Sequence, residues 1–132
     1  MIIADTEVLI DYLAGTQPAA DQVLTYAESD SLQTSAITCF ELLSGARYGK
    51  RGDAVRRLVG AIPVLPLDRE AATRAADVRQ QLARGGVSIA MADSLIAGIA
   101  LVNNLPLLTR NRKHFESVEA LRLVPLWQST NQ

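Results

Sequence analysis

The fold is decided by residues 2–14, which read Ile-Ile-Ala-Asp-Thr-Glu-Val-Leu-Ile-Asp-Tyr-Leu-Ala. The first three form a brief apolar run, as in a buried strand, and apolar side chains then recur at helical spacing from Val8 to Leu13, before Gly15. Asp5 and Thr6 stand between the two patterns, and both are residue types that cap helices. The segment therefore predicts a strand followed at once by a helix, with Asp5 at the junction.

The same alternation continues along the chain. Further helices are predicted at 18–28, 38–49, 53–60, from the cap at 68 to the glycines at 85–86, at 90–103 and as a turn at 112–117, and further strands at 32–35, 62–67, 106–109 and 123–126. This order predicts an α/β fold, one domain over residues 1–132 with a central, mainly parallel β-sheet flanked by helices on both faces. In such sheets the functional crevice lies at the carboxyl ends of the strands, where Asp5 is predicted to be.

Composition excludes several classes of protein. The chain is 48% hydrophobic and 20% charged, with a mean hydropathy of +0.12, as in an ordinary globular protein. It has no apolar run of the roughly 18 residues that a membrane span needs, and its first residues carry no basic signal segment. One cysteine and one histidine cannot form a disulfide or a zinc cluster. We expect a cytoplasmic protein without membrane association.

Charge is distributed unevenly along the chain. Residues 1–46 hold seven acidic residues and no Lys or Arg, a balance of −7, whereas residues 47–132 hold 13 basic and seven acidic residues, a balance of +6. This asymmetry is expected of an acidic metal site flanked by groups that bind a polyanion. Folding could equally interleave the charges and erase it.

Three acidic residues are candidates for chemistry, and each has a structural alternative. Asp5 could simply be a helix cap with no chemical role, and Glu41 follows Thr38 at the spacing of a capping box. Asp93 is harder to explain, since on a helix it shares an apolar face that offers no basic partner, and a buried carboxylate must be paired, protonated or bound to a cation. Carboxylate oxygens are ligands of Mg²⁺ and Mn²⁺, which can activate water for attack on a phosphodiester.

Other small-enzyme chemistries lack their residues. The sequence contains no phosphate-binding Walker loop, dinucleotide fingerprint or nucleophile-elbow serine. Four segments, taken in order, resemble the motifs of PIN-domain ribonucleases: Ile2–Thr6, Thr38–Leu42, Ile89–Ala97 and Leu108–Asn111. Chain length and motif order resemble the VapC toxins of bacterial toxin–antitoxin pairs.

The resemblance implies a Mg²⁺-dependent endoribonuclease, with Mn²⁺ able to substitute, that acts as the toxin of such a pair. It implies an RNA substrate, a VapB-like antitoxin whose C-terminal segment occupies the active-site groove, and a homodimer that can enter a higher assembly with the antitoxin. The implied metal ligands are Asp5, Glu41 and Asp93, the implied catalytic set adds Asn111, and the implied supporting residues are Thr6 and Thr109.

Three residues depart from the family pattern. Asn111 stands where many relatives have a fourth Asp, so a second ion would be weakly held. Glu7 replaces the commoner Asn or Ser, and either adds a carboxylate at the rim or extends the acidic first turn. His114 stands where Asp is frequent, either as a general acid or as a surface or phosphate-facing side chain.

Basic residues near these motifs are candidates for contacts with the RNA backbone: Arg47, Arg110, Arg112 and Lys113. Two other functions stay open. Asp5-Thr6-Glu7-Val8 distantly resembles the nucleophile loop of aspartyl phosphatases, although that loop needs a second Asp where Glu7 stands. The second open function is that of a weakened PIN-like module, which binds antitoxin or RNA without cutting RNA.

Overall fold

A computed structural model describes residues 1–46 and 48–128. Within these residues the chain alternates between strands and helices, as the sequence predicts. The five strands are β1 (Ile2–Ala4), β2 (Leu32–Ser35), β3 (Val64–Leu65), β4 (Leu107–Leu108) and β5 (Leu123–Val124). The seven helices are α1 (Thr6–Ala14), α2 (Ala19–Glu28), α3 (Ala36–Gly45), α4 (Gly49–Ala61), α5 (Arg69–Arg84), α6 (Met91–Val102) and α7 (Arg112–Phe115).

The strands form one sheet in the order β3-β2-β1-β4-β5, and every neighbouring pair is parallel. The predicted parallel sheet is therefore confirmed. β1 is the central strand, with Ala4 opposite Thr34 of β2 and Leu108 of β4. The residues that follow these strands consequently meet at one edge of the sheet, and Asp5 lies in the middle of that edge.

Apolar side chains of the sheet alternate between its two faces. Ile3 and Leu107 pack in one core with α5 and α6, whereas Ile2, Ala4 and Leu108 pack in a second core with α1 to α4. Successive residues of a strand point to opposite faces, so short apolar strands serve both cores. The predicted helical layers on both faces are confirmed.

The connection between α3 and α4 differs from the prediction. The helix predicted at 38–49 begins at Ala36, because Ser35 accepts a hydrogen bond from the Thr38 amide at 3.0 Å and caps α3, and it ends at Gly45. Gly49, predicted to end this helix, instead begins α4 in the left-handed conformation, with φ +71. The helix predicted at 53–60 therefore starts four residues sooner.

Close packing of α5 against α6 depends on Gly98. A Cβ atom at this position would lie 2.5 Å from the Ala71 carbonyl oxygen and 2.8 Å from the Ala75 Cβ atom. This approach packs α6, which carries Asp93, closely against α5. None of the helices within 1–46 and 48–128 is sufficiently long and apolar to cross a membrane.

Candidate active site

Asp5 is the buried centre of the site. Its side chain is 4% exposed, yet both carboxylate oxygens accept hydrogen bonds, Oδ1 from the Thr6 amide at 2.8 Å and Oδ2 from the Thr109 hydroxyl at 2.7 Å. The Asp5 amide donates to the Leu108 carbonyl at 2.9 Å, which extends the pairing of β1 with β4. Asp5 thus caps α1, as predicted, and is also fixed at the sheet edge by a residue from the other half of the chain.

Glu41 reaches the same edge from α3. Its Oε1 accepts a hydrogen bond from the Thr6 hydroxyl at 2.6 Å, and the Thr6 oxygen lies 3.0 Å from the buried Thr38 hydroxyl. The capping box suggested by the Thr38–Glu41 spacing is wrong, because Ser35 caps α3 and Thr38 lies within its first turn. Glu41 is therefore free of a capping role and faces the Asp5 loop.

Asp93 lies in the first turn of α6 with a side chain that is 20% exposed. Its Oδ2 atom is 3.1 Å from Nδ1 of His114 on α7. The residues of α6 offer Asp93 no basic partner, as predicted. The His114 imidazole, from the later helix α7, supplies one. The Asp93 carboxylate is consequently held between the apolar face of α6 and His114.

Burial and charge act together on two of the carboxylates. The pKa of Asp5 is raised, chiefly by burial, although the hydrogen bonds from Thr109 and Thr6 oppose the rise and the charges of Asp93 and Glu41 add to it. The pKa of Asp93 is also raised, chiefly by burial, with His114 opposing and Glu41 adding. Each of the three acids therefore lies near enough to feel the charge of another.

The donors suit a hard divalent cation, because they are carboxylate oxygens whose mutual repulsion a cation would relieve. Nevertheless, no three His, Cys, Asp or Glu side chains among residues 1–46 and 48–128 are arranged to hold a metal ion. Glu41 is directed to Thr6 and Asp93 to His114. The three acids predicted to converge are thus close enough for their charges to act on one another, although their side chains do not form a ready set of metal ligands among these residues.

Asn111 and Thr109 belong to one loop after β4. The Asn111 amide donates to the Thr109 hydroxyl oxygen at 3.0 Å, and the same hydroxyl donates to Asp5. Thr109 is fully buried, and Asn111 is half-buried. Asn111, the fourth predicted site residue, is thus connected to the Asp5 carboxylate by its backbone amide and the Thr109 hydroxyl.

The predicted RNA contacts divide into three groups. Arg112 and Lys113 are exposed on α7 beside the site, so their predicted contact with RNA stays a prediction. The Arg110 guanidinium is bound to Glu7 and Asp11 of α1 at 2.8 and 2.9 Å. Arg47 lies outside the described residues.

A cavity of about 490 Å³ opens beside Glu41 between α1, α3 and α4. Its floor is apolar, and basic side chains stand at the rim on α4. Residues that line it include Leu13, Leu42, Val55, Lys50 and Arg51. A smaller cavity of about 220 Å³ lies on the other side of the site, between Asp93 and the residues Lys113 and His114 of α7.

Two contributors to the site were not predicted. Thr38 was considered only as a cap, although its hydroxyl faces Thr6, and the contact of His114 with Asp93 crosses from α7 to α6. Neither contact has a local sequence signal, because each joins residues of different elements. The available hint for Thr38 was its position shortly after the strand predicted at 32–35, within the segment that resembles a family motif.

A family model for the PIN domain matches residues 2–121 of the chain. Ribonuclease VapC10 of Mycobacterium tuberculosis is 34% identical over 122 residues, which cover 92% of this chain and 91% of that protein. The tRNA(fMet)-specific endonuclease VapC of Shigella flexneri is 30% identical over 122 residues, covering 89% of this chain and 92% of that protein.

The fold has the same relatives. The crystal structure of VapBC-1 from nontypeable Haemophilus influenzae superposes with a TM-score of 0.75 at 26% identity, over 94% of this chain and 97% of the matched chain. The four ordered motifs, the parallel sheet and the matched length agree with one another. The chain therefore belongs to the PIN-domain family, and within it to the VapC group.

Proposed function

We propose that this protein is a metal-dependent endoribonuclease, the toxin of a toxin–antitoxin pair, which cleaves RNA phosphodiester bonds. The observation that carries the proposal is the coupling of Asp5, Glu41 and Asp93, which come from three different elements. Thr6 donates to both Asp5 and Glu41, and burial together with the charges of the neighbouring acids raises the pKa of Asp5 and of Asp93. Retaining such charges costs stability, and that cost is typical of functional sites. Relatives named ribonuclease and endonuclease support the same activity.

Mg²⁺, or Mn²⁺ in its place, would be held by Asp5, Glu41 and Asp93. When bound, such an ion supplies an activated water and stabilises the charge that develops on the phosphodiester. Asp5 is oriented for this role by the Thr6 amide and the Thr109 hydroxyl. The Asn111 side chain offers an amide oxygen and no charge, so it would orient water or RNA, and a second ion would bind weakly.

Positioning of RNA would fall to the exposed cations beside Asp93. Arg112 and Lys113 can bind phosphates without reading bases, and the cavity between Asp93 and Lys113 has room for part of a nucleotide. His114 would contact a phosphate when it leaves Asp93. These contacts would fix the strand and leave sequence choice to RNA shape.

An antitoxin segment would occupy the groove beside Glu41. The apolar floor at Leu13, Leu42 and Val55 suits an amphipathic helix, and Lys50 and Arg51 suit its acidic residues. We also propose a single domain over residues 1–132, a cytoplasmic location, and a homodimer that enters a higher assembly with its antitoxin.

A panel of structured RNAs incubated with the purified protein tests the activity. Cleavage should require Mg²⁺ or Mn²⁺, stop with chelator, and fall by roughly 100-fold or more in Asp93→Asn, because that change removes a charge from the site. Asp77→Asn is the matched control, an exposed acid on α5. Cleavage that survives both chelator and Asp93→Asn would contradict the proposal.

A module that binds RNA without cutting it is the second candidate. It is favoured by the hydrogen bonds that direct Glu41 to Thr6 and Asp93 to His114 rather than to a common point. The same panel separates the two functions, because a binding module would retain RNA in a mobility shift and leave every RNA intact with either metal.

A further inference from the structure

Arg110 lies between two residues of the site. Thr109, on one side, donates to Asp5, and Asn111, on the other, donates its amide to the Thr109 hydroxyl. The Arg110 guanidinium binds α1 rather than Asp5, Glu41 or Asp93, and 44% of its side chain is exposed. The backbone conformation of this three-residue loop therefore sets both the donor to Asp5 and the place of the Asn111 side chain.

The Arg110 guanidinium is bound by α1. One terminal nitrogen donates to both carboxylate oxygens of Asp11 at 2.9 Å, and the other donates to Glu7 at 2.8 Å. Glu7 and Asp11 are four residues apart and share one face of the helix. The Asp11 side chain is only 13% exposed, so this part of the network is shielded from solvent. Arg110 lies 99 positions after Asp11 and 103 positions after Glu7 in the sequence.

We infer that Arg110 is a positioning residue that ties the loop after β4 to α1, the helix that Asp5 caps. The two donors to the Asp5 carboxylate, the Thr6 amide of α1 and the Thr109 hydroxyl of the loop, are then fixed relative to each other. Glu7 and Asp11 serve this tie rather than the carboxylate site. The effect on catalysis rests on the proposed function, whereas the tie itself does not.

Direct binding of RNA by Arg110 is the competing role, and the charges argue against it. One guanidinium between two carboxylates leaves this surface with a net charge of −1, which repels phosphate. Three hydrogen bonds also use three of the five N–H donors of the guanidinium. An arginine that binds RNA should bind it more tightly once the two acids are neutralised, whereas a positioning arginine should lose its anchor.

Two variants separate the positioning role from the RNA-binding role, because the two roles predict different changes in RNA binding. The first is Arg110→Gln, and the second combines Glu7→Gln with Asp11→Asn. Arg79→Gln is the matched control, an exposed arginine on α5 away from the site. We expect kcat for RNA cleavage to fall about tenfold in both test variants, because a misplaced Asp5 and Asn111 lower the population of reactive geometry. KM should stay within about twofold of the native value, and the salt dependence of RNA binding should not change.

Hydrogen exchange provides a readout without activity. The Asn111 amide, which donates to Thr109, should exchange about tenfold faster in both variants and at the native rate in Arg79→Gln. Unchanged exchange, or tighter RNA binding by the acid-neutralised variant, would overturn the inference. A rise in KM confined to Arg110→Gln would overturn it as well. If the native protein cuts no RNA, the proposed function fails, and the exchange measurement still decides whether Arg110 holds the loop.

Discussion

Asp5 and Thr109, 104 positions apart, are joined by a hydrogen bond of 2.7 Å from the threonine hydroxyl to Oδ2 of the carboxylate. The bond connects the ends of β1 and β4, and the same hydroxyl accepts the Asn111 amide. One buried side chain thus orients the central carboxylate and fixes the loop that carries the fourth site residue. Its removal should affect stability and activity together.

Thr109→Val tests this link, because valine keeps the shape and removes the hydroxyl. The change leaves the buried Asp5 oxygen without a donor and the Asn111 amide without an acceptor. We expect a loss of about 1–3 kcal/mol in the free energy of unfolding, measured by urea denaturation. Thr109→Ser retains the hydroxyl and should lose less. Equal stability of the Val variant and the native protein would show that the bond does not orient Asp5.

Asp5→Asn should stabilise the metal-free protein at neutral pH. Burial raises the Asp5 pKa above its ordinary 3.8, so the native state holds the proton more tightly than the unfolded state. This contribution to stability is present below pH 3.8 and is lost as the pH rises through the raised pKa. An asparagine carries no charge at any pH, and can still accept from the Thr6 amide.

Thermal melts in chelator from pH 3 to pH 8 provide the measurement. The advantage of Asp5→Asn should grow with pH and reach about 1 kcal/mol or more at neutral pH, roughly 3–6 °C in Tm. Asp77→Asn, which replaces an exposed acid on α5, is the control. An advantage that is greatest at acid pH would reverse the sign and refute the assignment.

Gly98→Ala should destabilise the protein, because the added methyl group would lie 2.5 Å from the Ala71 carbonyl oxygen and α6 would have to move from α5. The expected loss is about 1–3 kcal/mol. Gly60→Ala is the control in α4, where a Cβ atom meets nothing within 4 Å, and it should stabilise by about 0.5–1 kcal/mol. Denaturation curves of the two variants should therefore shift in opposite directions.

Local patterns predicted most of the fold because its elements are short and clearly bounded. The junction at Asp5 is an example, since an apolar run, a capping residue and a helical repeat follow one another within a few residues. The start of α3 was misplaced because Ser35 serves both as the last residue of β2 and as the cap of α3. A sequence pattern assigns such a residue to one role only.

The site was predictable in its members but not in its contacts. The motifs around Asp5, Glu41 and Asp93 predicted that these acids share one site, and their charges do act on one another in the structure. The partners of Arg110 and of Asp93 come from elements far along the chain, and their identity depends on how helices pack. Arg110 accordingly appeared as an RNA contact, beside acids that only the fold brings to it.

Binding of Mn²⁺ followed through His114 tests the central claim most directly, because this is the one histidine in the sequence and it lies 3.1 Å from Asp93. Mn²⁺ should broaden the His114 imidazole resonance over the same range of concentration in which RNA cleavage appears. Asp93→Asn should move both midpoints roughly 10–100-fold higher. Cleavage by a protein whose His114 resonance stays sharp, or an unchanged midpoint in Asp93→Asn, would contradict a metal site built on Asp5, Glu41 and Asp93.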